Sequence, residues 1–383
     1  MIALPLFEDR HRALQVRLQH IEAVFAPIAA RGESGDVDGA GLDAIRECTK
    51  FGLGRLVVPP EFGGEALDLR SVCLAREALA AASGLADAVF AVQGLGSYPI
   101  ALAGARDLSA RYLPAIAEGR AVAAFALTEP EAGSDASAIA TRARREGEDY
   151  ILDGRKVFIS NATIASFFTV FARTADGPKR SISAFVVDVS TPGVLVGPRQ
   201  EITAPHPIAE LRLTGCRVPA ANRLGEEGDG MRLALGTLDF FRTSVGAAAC
   251  GLAARAIQES VARAQSREQF GRRIADFQLT QAALADMATE LDAARLLVYR
   301  AAWMKDNGAS RLTRESAMAK LFATEAAQRI VDRAVQIHGG LGVQRGSVVE
   351  RLYREVRAAR IYEGTSEIQR LLIARQLLDN PPM

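Results

Sequence analysis

The feature that most constrains this chain is a change of apolar period, made twice. From residue 223 onward the sequence runs in long helical stretches, 231–265, 277–306 and 313–338. Apolar side chains recur there at three- and four-residue steps, as in Leu284, Met287, Leu291, Ala294 and Leu297. That spacing gives each helix one stripe to bury, which other helices can cover. Residues 121–222 break the pattern with short β-rich runs, of which 166–174, 182–189 and 211–218 are strand candidates. Tyr150–Leu152 and Arg155–Ile159 flank Asp153-Gly154, a pair suited to a type I′ hairpin turn. Residues 1–120 return to helices joined by Gly/Pro turns. Leu42, Ile45, Phe51 and Leu53 mark one helix and its exit, 57–64 is a loop, and Leu69–Ala82 resumes the helical pattern.

The expected fold class is therefore α+β and multidomain. An N-terminal helical domain (1–120) precedes a middle antiparallel β-domain (121–222), a barrel or sandwich. A C-terminal four-helix bundle (223–383) follows.

Composition narrows function by exclusion. The 383 residues are 49% hydrophobic and 24% charged, enough for several cores. Lys+Arg is 46 against Asp+Glu 45, so no single-sign field favours nucleic acid. Cys48, Cys73, Cys216 and Cys250 form no C-x-x-C pair, and four in so long a chain are no disulfide framework. The scattered His11, His20, His206 and His338 show no metal-ligand spacing, so no metal site is expected. The N-terminus carries Glu8 and Asp9 and reads as neither signal nor transit peptide. The longest uncharged run, 88–105, is broken by Gln93, Gly94, Gly96, Ser97, Pro99 and Gly104, so no membrane span is expected. The expected location is cytoplasmic. Dinucleotide-binding G-x-G-x-x-G, P-loop and G-x-S-x-G signatures are all missing.

Five segments can carry chemistry. Phe125-Ala-Leu127-Thr128-Glu-Pro-Glu-Ala-Gly133-Ser134-Asp135 offers hydroxyls and amides to a polar ligand, though its residue types alone favour a surface turn. Phe158 and Ser160 share a strand face by alternation, setting an aromatic plane beside a hydroxyl; core packing and a strand end explain them as well. Arg267-Glu-Gln269-Phe270-Gly271 with Gln278 suits a phosphate and an adenine-like ring, or an ordinary helix–helix turn. In Gln336-Ile-His338-Gly339-Gly340 the glycines permit close ligand approach, or cap a helix. Tyr362-Glu363-Gly364-Thr365-Ser366-Glu367 is either a capped helix start or a general base poised beside a ligand.

Together, in this order and spacing, the five segments resemble the acyl-CoA dehydrogenase family across nearly the whole chain. The resemblance implies three domains of the kind read above and a non-Rossmann FAD site. It implies that Phe125, Leu127, Thr128, Gly133 and Ser134 line or approach the flavin, that Phe158 lies against the isoalloxazine and that Ser160 reaches flavin N5. Many relatives carry Trp and Thr at those two positions. Arg267, Gln269, Phe270, Gln278, Gln336, Gly339 and Gly340 would hold the pyrophosphate and adenosine across a subunit boundary, with Thr365 and Glu367 closing over the cofactor. Ser134, Asp239, Phe240, Phe241, Arg242, Tyr362 and Gly364 would face the substrate and its carrier.

By the same resemblance, Glu363 is the base that takes the α-proton of an acyl thioester while the β-hydrogen leaves as hydride. The Glu363 backbone N–H and a ribityl hydroxyl would polarise the thioester carbonyl. Branches of the family that place the base earlier would use position 241, which is phenylalanine here. Implied partners are acyl-CoA or an acyl-carrier protein, an electron-transfer flavoprotein, and further copies of the chain in a homotetramer or dimer. The segment 201–210, with Pro205, His206 and Pro207, departs from the Arg-Gly-Ser-x-Thr pattern common in relatives. With Phe240 and Phe241 near the expected acyl pocket, it leads to the expectation of a short, branched or cyclic acyl group. The alternatives are a biosynthetic dehydrogenase of carrier-bound acyl groups, a flavin oxidase, and a flavin-free scaffold.

Overall fold

The computed structural model describes residues 5–65, 67–177, 180–309 and 311–379. Six helices come first: α1 (Asp9–Arg17), α2 (Ile21–Glu33), α3 (Val37–Lys50), α4 (Leu69–Ala82), α5 (Gly84–Leu102) and α6 (Arg106–Ala117). Eight strands follow: β1 (Ala123–Ala126), β2 (Arg142–Glu146), β3 (Asp149–Ser160), β4 (Phe167–Arg173), β5 (Ile182–Asp188), β6 (Val194–Arg199), β7 (Ile208–Pro219) and β8 (Arg223–Leu224). Helix α7 (Gly230–Ser266) leads to a small ribbon, β9 (Glu268–Gln269) and β10 (Arg272–Arg273). The chain ends in α8 (Gln278–Asp306), α9 (Thr313–His338), α10 (Val348–Ala358) and α11 (Ser366–Asp379).

The chain forms two compact units, one of Met1–Ala26, Asp68–Asp87 and Arg242–Met383, the other of Pro27–Leu67 and Ala88–Phe241. In the first, α9 packs on α8, α10 and α11. Its buried face is rich in alanine, including Ala317, Ala319, Ala323, Ala326, Ala327 and Ala334, which lets helix axes approach closely. Two sequence-distant helices join these C-terminal ones: α4 packs on α8, and α1 on α4. Polar contacts fix that docking. Asp306 at the end of α8 accepts from Leu69 N and Arg70 N at the start of α4, at 2.7 and 3.1 Å. Glu77 on α4 accepts from Arg295 and Tyr299 on α8, at 2.8 and 2.7 Å.

His11, Asp68 and Asp306 bring ligand-type atoms within 4.8 Å of one another. Each is committed to helix starts. His11 Nδ1 accepts from Glu8 N–H at 2.9 Å, so its Nε2 carries the proton that meets Asp68 at 2.9 Å. Asp68 also caps α4 through Ser71 N–H.

The second unit holds one mixed sheet in the order β6-β7-β3-β2-β4-β5-β8, with β1 joined parallel to β4. Most pairings are antiparallel, as expected; β1–β4 and the single β2–β4 bridge are parallel. Its core includes Tyr150, Leu152, Phe168, Val170, Phe185, Leu211 and Leu213. Each large side chain buried there contributes about 1.5–3 kcal/mol.

The hairpin expected at Asp153-Gly154 does not form. β3 continues through both residues, with Asp153 opposite Arg142 and Gly154 opposite Leu213, and its register with β7 shifts between Leu152 and Gly154. The turn lies earlier, where Gly147 takes φ 62° between β2 and β3. Gly154 is needed for another reason: a Cβ there would come within 2.3 Å of the Thr141 hydroxyl. Asp153 instead accepts from Gly215 N–H at 2.6 Å. The two-residue turn with both φ positive occurs at Phe270 (51°) and Gly271 (75°), between β9 and β10.

Helix α5 is long and apolar enough to cross a membrane by length and composition, yet 83% of that stretch is buried within the protein.

Candidate active site

The sequence-selected residues fall into three groups. The first lies at one end of the β-sheet. Phe125 on β1 packs its ring 4.8 Å from Phe171. The peptide after it is clamped from below: fully buried Lys156 donates to the Leu127 carbonyl at 3.1 Å and to Glu129 Oε1 at 2.7 Å. Glu129 also accepts from Ala140 N and Thr141 N, at 2.5 and 3.0 Å. Burial opposes the charge on Glu129, but Lys156 outweighs it and holds the carboxyl below its usual range. Burial likewise lowers Lys156, to about 8, with Glu129 resisting. Both stay charged at neutral pH, and Thr128 is held half-exposed beside them, its carbonyl accepting from Val157 N at 3.0 Å. Gly133 and Ser134 are exposed past a tight Glu129–Ala132 turn.

On β3 the ladder with β7 slips between Lys156 and Ile159. A bulge of this kind re-aims a side chain. Phe158 takes φ 55° and leaves 60% of itself exposed, while Ile159 is buried and Ser160 half-buried. Ser160 Oγ lies 2.7 Å from His206 Nε2. Phe240 and Phe241 are buried against Tyr98 of α5, with ring centroids at 4.8 and 5.8 Å. Gly94 makes room for them, since a Cβ there would fall 2.4 Å from the Phe241 ring.

The second group surrounds the loop between α10 and α11. Glu363 sits at φ 53° and Gly364 at φ 90°. For a glutamate that backbone region is uncommon, and it aims the side chain away from the course of the helix. Among the described residues Glu363 Oε2 is shut off from solvent and has no hydrogen-bond partner. Burial raises its pKa; the guanidinium of Arg76, then Lys320 and Arg242, pull it back. Arg76 is itself fully buried, forked onto Asp87 with two 2.9 Å bonds and donating to Ser244 Oγ at 2.9 Å. Lys320 donates to the Gly364 carbonyl at 2.6 Å, and Gln369 Nε2 to the same oxygen at 2.8 Å. Thr365 caps α11 through Ile368 N–H, and Ser366 ties the turn to Glu325 at 2.6 Å. Glu367 is exposed in the first turn of α11, and Tyr362 is 41% exposed. Arg242 on α7 is buried, and Asp239, one turn earlier, half-buried.

The third group is the exposed ribbon and the end of α9. Arg267, Gln269 and Gln278 are exposed, and Phe270 at the ribbon tip is 94% exposed. Arg272 stacks on Phe277, 4.0 Å from the ring centroid. Gln336, Gly339 and Gly340 are exposed as α9 ends, with Gly339 at φ 63°. His338 is buried and donates from Nδ1 to the Ala334 carbonyl at 2.8 Å, a packed helix-end residue.

Profiles of known families cover all three zones. Residues 9–120 match the acyl-CoA dehydrogenase N-terminal domain, 124–216 the middle domain and 228–378 the C-terminal domain. The chain belongs to the acyl-CoA dehydrogenase family. It is similar to cyclohexane-1-carbonyl-CoA dehydrogenase of Geobacter metallireducens, at 39% identity over 92% of this chain and 93% of that one. It is similar to a subunit of the caffeyl-CoA reductase-Etf complex of Acetobacterium woodii, at 40% identity over 90% and 91%. An acyl-CoA dehydrogenase from Bacillus anthracis complexed with FAD superposes with a TM-score of 0.91 and 34% identity, covering 97% of this chain and 67% of that one.

Acyl-CoA dehydrogenases are FAD-dependent oxidoreductases, and the residues here suit a flavin. An aromatic ring as exposed as Phe158 is unusual, and a second planar ring would cover it. The Ser160 hydroxyl and the held Thr128 peptide supply polar partners beside it. What sequence reading missed are the buried supports Lys156–Glu129, Arg76–Asp87 and Lys320, and the contact of half-buried His206 with Ser160. Nothing in local sequence marks them, because each partner lies on a different element of the fold.

Proposed function

We propose that this acyl-CoA dehydrogenase removes the α- and β-hydrogens of an acyl-CoA thioester to give the trans-2-enoyl-CoA, with Glu363 as the base. The observation that carries this reading is the Glu363 carboxylate, whose Oε2 is closed to solvent and unpaired among the described residues, held in a strained turn. Desolvation raises its proton affinity toward what an α-proton transfer needs, while Arg76, Lys320 and Arg242 oppose that rise. Bound FAD supplies hydride acceptance at its N5. Phe158 would face the ring system, Ser160 would serve the N5 edge, and Phe125, Leu127 and Thr128 would hold the remaining flavin edge. Gly133 and Ser134, both exposed, would meet the cofactor and the substrate's carrier. Arg267, Gln269, Phe270, Gln278, Gln336, Gly339 and Gly340 take the pyrophosphate and adenosine, and in this reading belong to a neighbouring copy's cofactor in a homotetramer. Thr365 and Glu367 close over the same group.

As the α-proton moves to Glu363, charge gathers on the thioester oxygen, and the Glu363 backbone N–H is the chain's own donor to it. Gly364, with no side chain, and Tyr362 border the acyl group; Arg242 and Asp239 bear on the substrate's position. Phe240 stacks on Tyr98 and Phe241 meets it edge-on, and in this reading the two rings leave little room for a long straight chain. A short, branched or cyclic acyl group is therefore the proposed substrate, in keeping with the cyclic acyl group named for the Geobacter relative. Electrons then pass to an electron-transfer flavoprotein, a partner named in the Acetobacterium relative's complex. That relative, named a reductase, favours a second reading in which the same residues run the reaction toward saturation.

The test is anaerobic mixing of the purified yellow protein with short, branched, cyclic and long-chain acyl-CoAs. Bleaching by one of the first three supports the reading. Equal bleaching by a long chain overturns the acyl preference. Bleaching by none, with reoxidation of the reduced protein by an enoyl-CoA, selects the reductive direction.

A further inference from the structure

Ser160 closes β3, paired with Ile208 at the end of the ladder with β7. Two residues before Ile208 stands His206, whose Nε2 lies 2.7 Å from Ser160 Oγ. Local devices fix the histidine. Pro205 and Pro207 lock φ on either side and cannot extend the ladder. Ile208 N–H donates to the His206 carbonyl at 2.9 Å, and Gln200 N–H to the Ile208 carbonyl at 2.8 Å. Burial pushes the ring's pKa down to about 4, so the imidazole is neutral at working pH. A neutral imidazole nitrogen either gives or takes one hydrogen bond, and the hydroxyl takes the complementary part. An untethered serine hydroxyl would sample several staggered positions. Tied to His206, it keeps one.

We propose that His206 is a positioning residue for the Ser160 hydroxyl, fixing the direction in which that hydroxyl meets the N5 edge of the flavin. This rests on the placement of Ser160 at that edge. The segment that departs from the family pattern thereby acquires a purpose, because it braces a serine that has one methyl fewer than threonine to hold its rotamer.

The test is a dye-coupled reductive titration of the FAD-loaded protein without substrate, on the native chain and on H206L, H206Q, S160A and the H206L/S160A double variant. Thermal unfolding and flavin content serve as controls for folding. H206L and S160A are expected to move the flavin potential to more negative values, changing the oxidised-to-reduced equilibrium by about tenfold, the effect of one hydrogen bond. H206Q, whose amide can also reach Oγ, is expected to recover most of the shift. The double variant is expected to match S160A alone, because His206 acts through Ser160. A native potential in H206L, beside a shifted one in S160A, overturns the role of His206. So does an H206L shift that persists at full size when Ser160 is already alanine. An unchanged potential and spectrum in S160A overturn the placement of Ser160 itself, and the proposal with it.

Discussion

Lys320 Nζ donates to the Gly364 carbonyl across 2.6 Å, one peptide unit from the Glu363 Cα. The lysine is fully buried, and burial lowers its pKa to about 8 while Glu363 holds it up. One ammonium thus acts in two ways. It pins a turn whose two residues have positive φ, and after Arg76 it pulls the burial-raised pKa of the neighbouring carboxylate back down.

Replacing Lys320 with methionine removes both the donor and the charge at similar volume. With one fewer cation, the Glu363 pKa rises further, so the acid limb of the kcat/KM profile moves to higher pH. Activity at neutral pH is expected to fall about 10²-fold or more. Flavin content should stay native, since Lys320 bears on the base. A pH–rate profile measured beside a visible spectrum checks this.

Glu363→Gln separates stability from catalysis. Activity should fall by about 10²–10⁴, the usual worth of a positioned base. Stability should move the other way. An acid whose pKa is raised by folding binds its proton more tightly in the native state than in the unfolded one. Native stability therefore falls as pH climbs from the ordinary carboxylate range through the raised value. The glutamine variant lacks that dependence, so its melting temperature should exceed the native one at pH 8 and converge with it near pH 4. Thermal scans across pH test the sign.

The Lys156–Glu129 pair predicts a different pattern. Lys156→Met leaves Glu129 charged, buried and short of one partner, at a cost of about 3–5 kcal/mol. Removing both charges with Lys156→Met and Glu129→Gln should recover much of that loss. A double-mutant cycle by chemical denaturation measures it. A larger loss in the double variant would show that the pair holds the Thr128 peptide by more than charge balance.

Phe270 is 94% exposed at the tip of a two-residue turn, so its truncation should change the stability of the isolated fold by less than about 0.5 kcal/mol. If the ribbon serves the adenosine end of FAD, Phe270→Ala and Arg267→Ala should each weaken FAD binding about tenfold, without moving the apoprotein's melting temperature. Reconstitution titrations decide it.

Much of this was legible in the chain. Helix α4 was expected at Leu69–Ala82 and is found there, because its apolar period and flanking turn signals are local. The long C-terminal helices follow the same logic. The Asp153-Gly154 turn was misplaced because turn preference is also local, whereas the demand on Gly154 comes from Thr141, a neighbour that only the folded sheet supplies. Alternation along β3 set Phe158 and Ser160 on one face; the bulge that exposes Phe158 at positive φ arises from pairing with β7 and has no signature in the strand itself.

By itself, then, the sequence determined the helical and β zones, the order of the five motifs and the identity of the carboxylate at 363. Short-range period and residue chemistry suffice for those. Tertiary structure decided which side chains stand under the motifs: the buried charges of Arg76 and Asp87 with Ser244, Lys320 under Gly364 and Lys156 under Leu127, and the neutral imidazole of His206 beside Ser160. Desolvation and charge pairing act through space. Residues separated by tens to hundreds of positions can therefore set a proton affinity or hold a turn that no local pattern encodes.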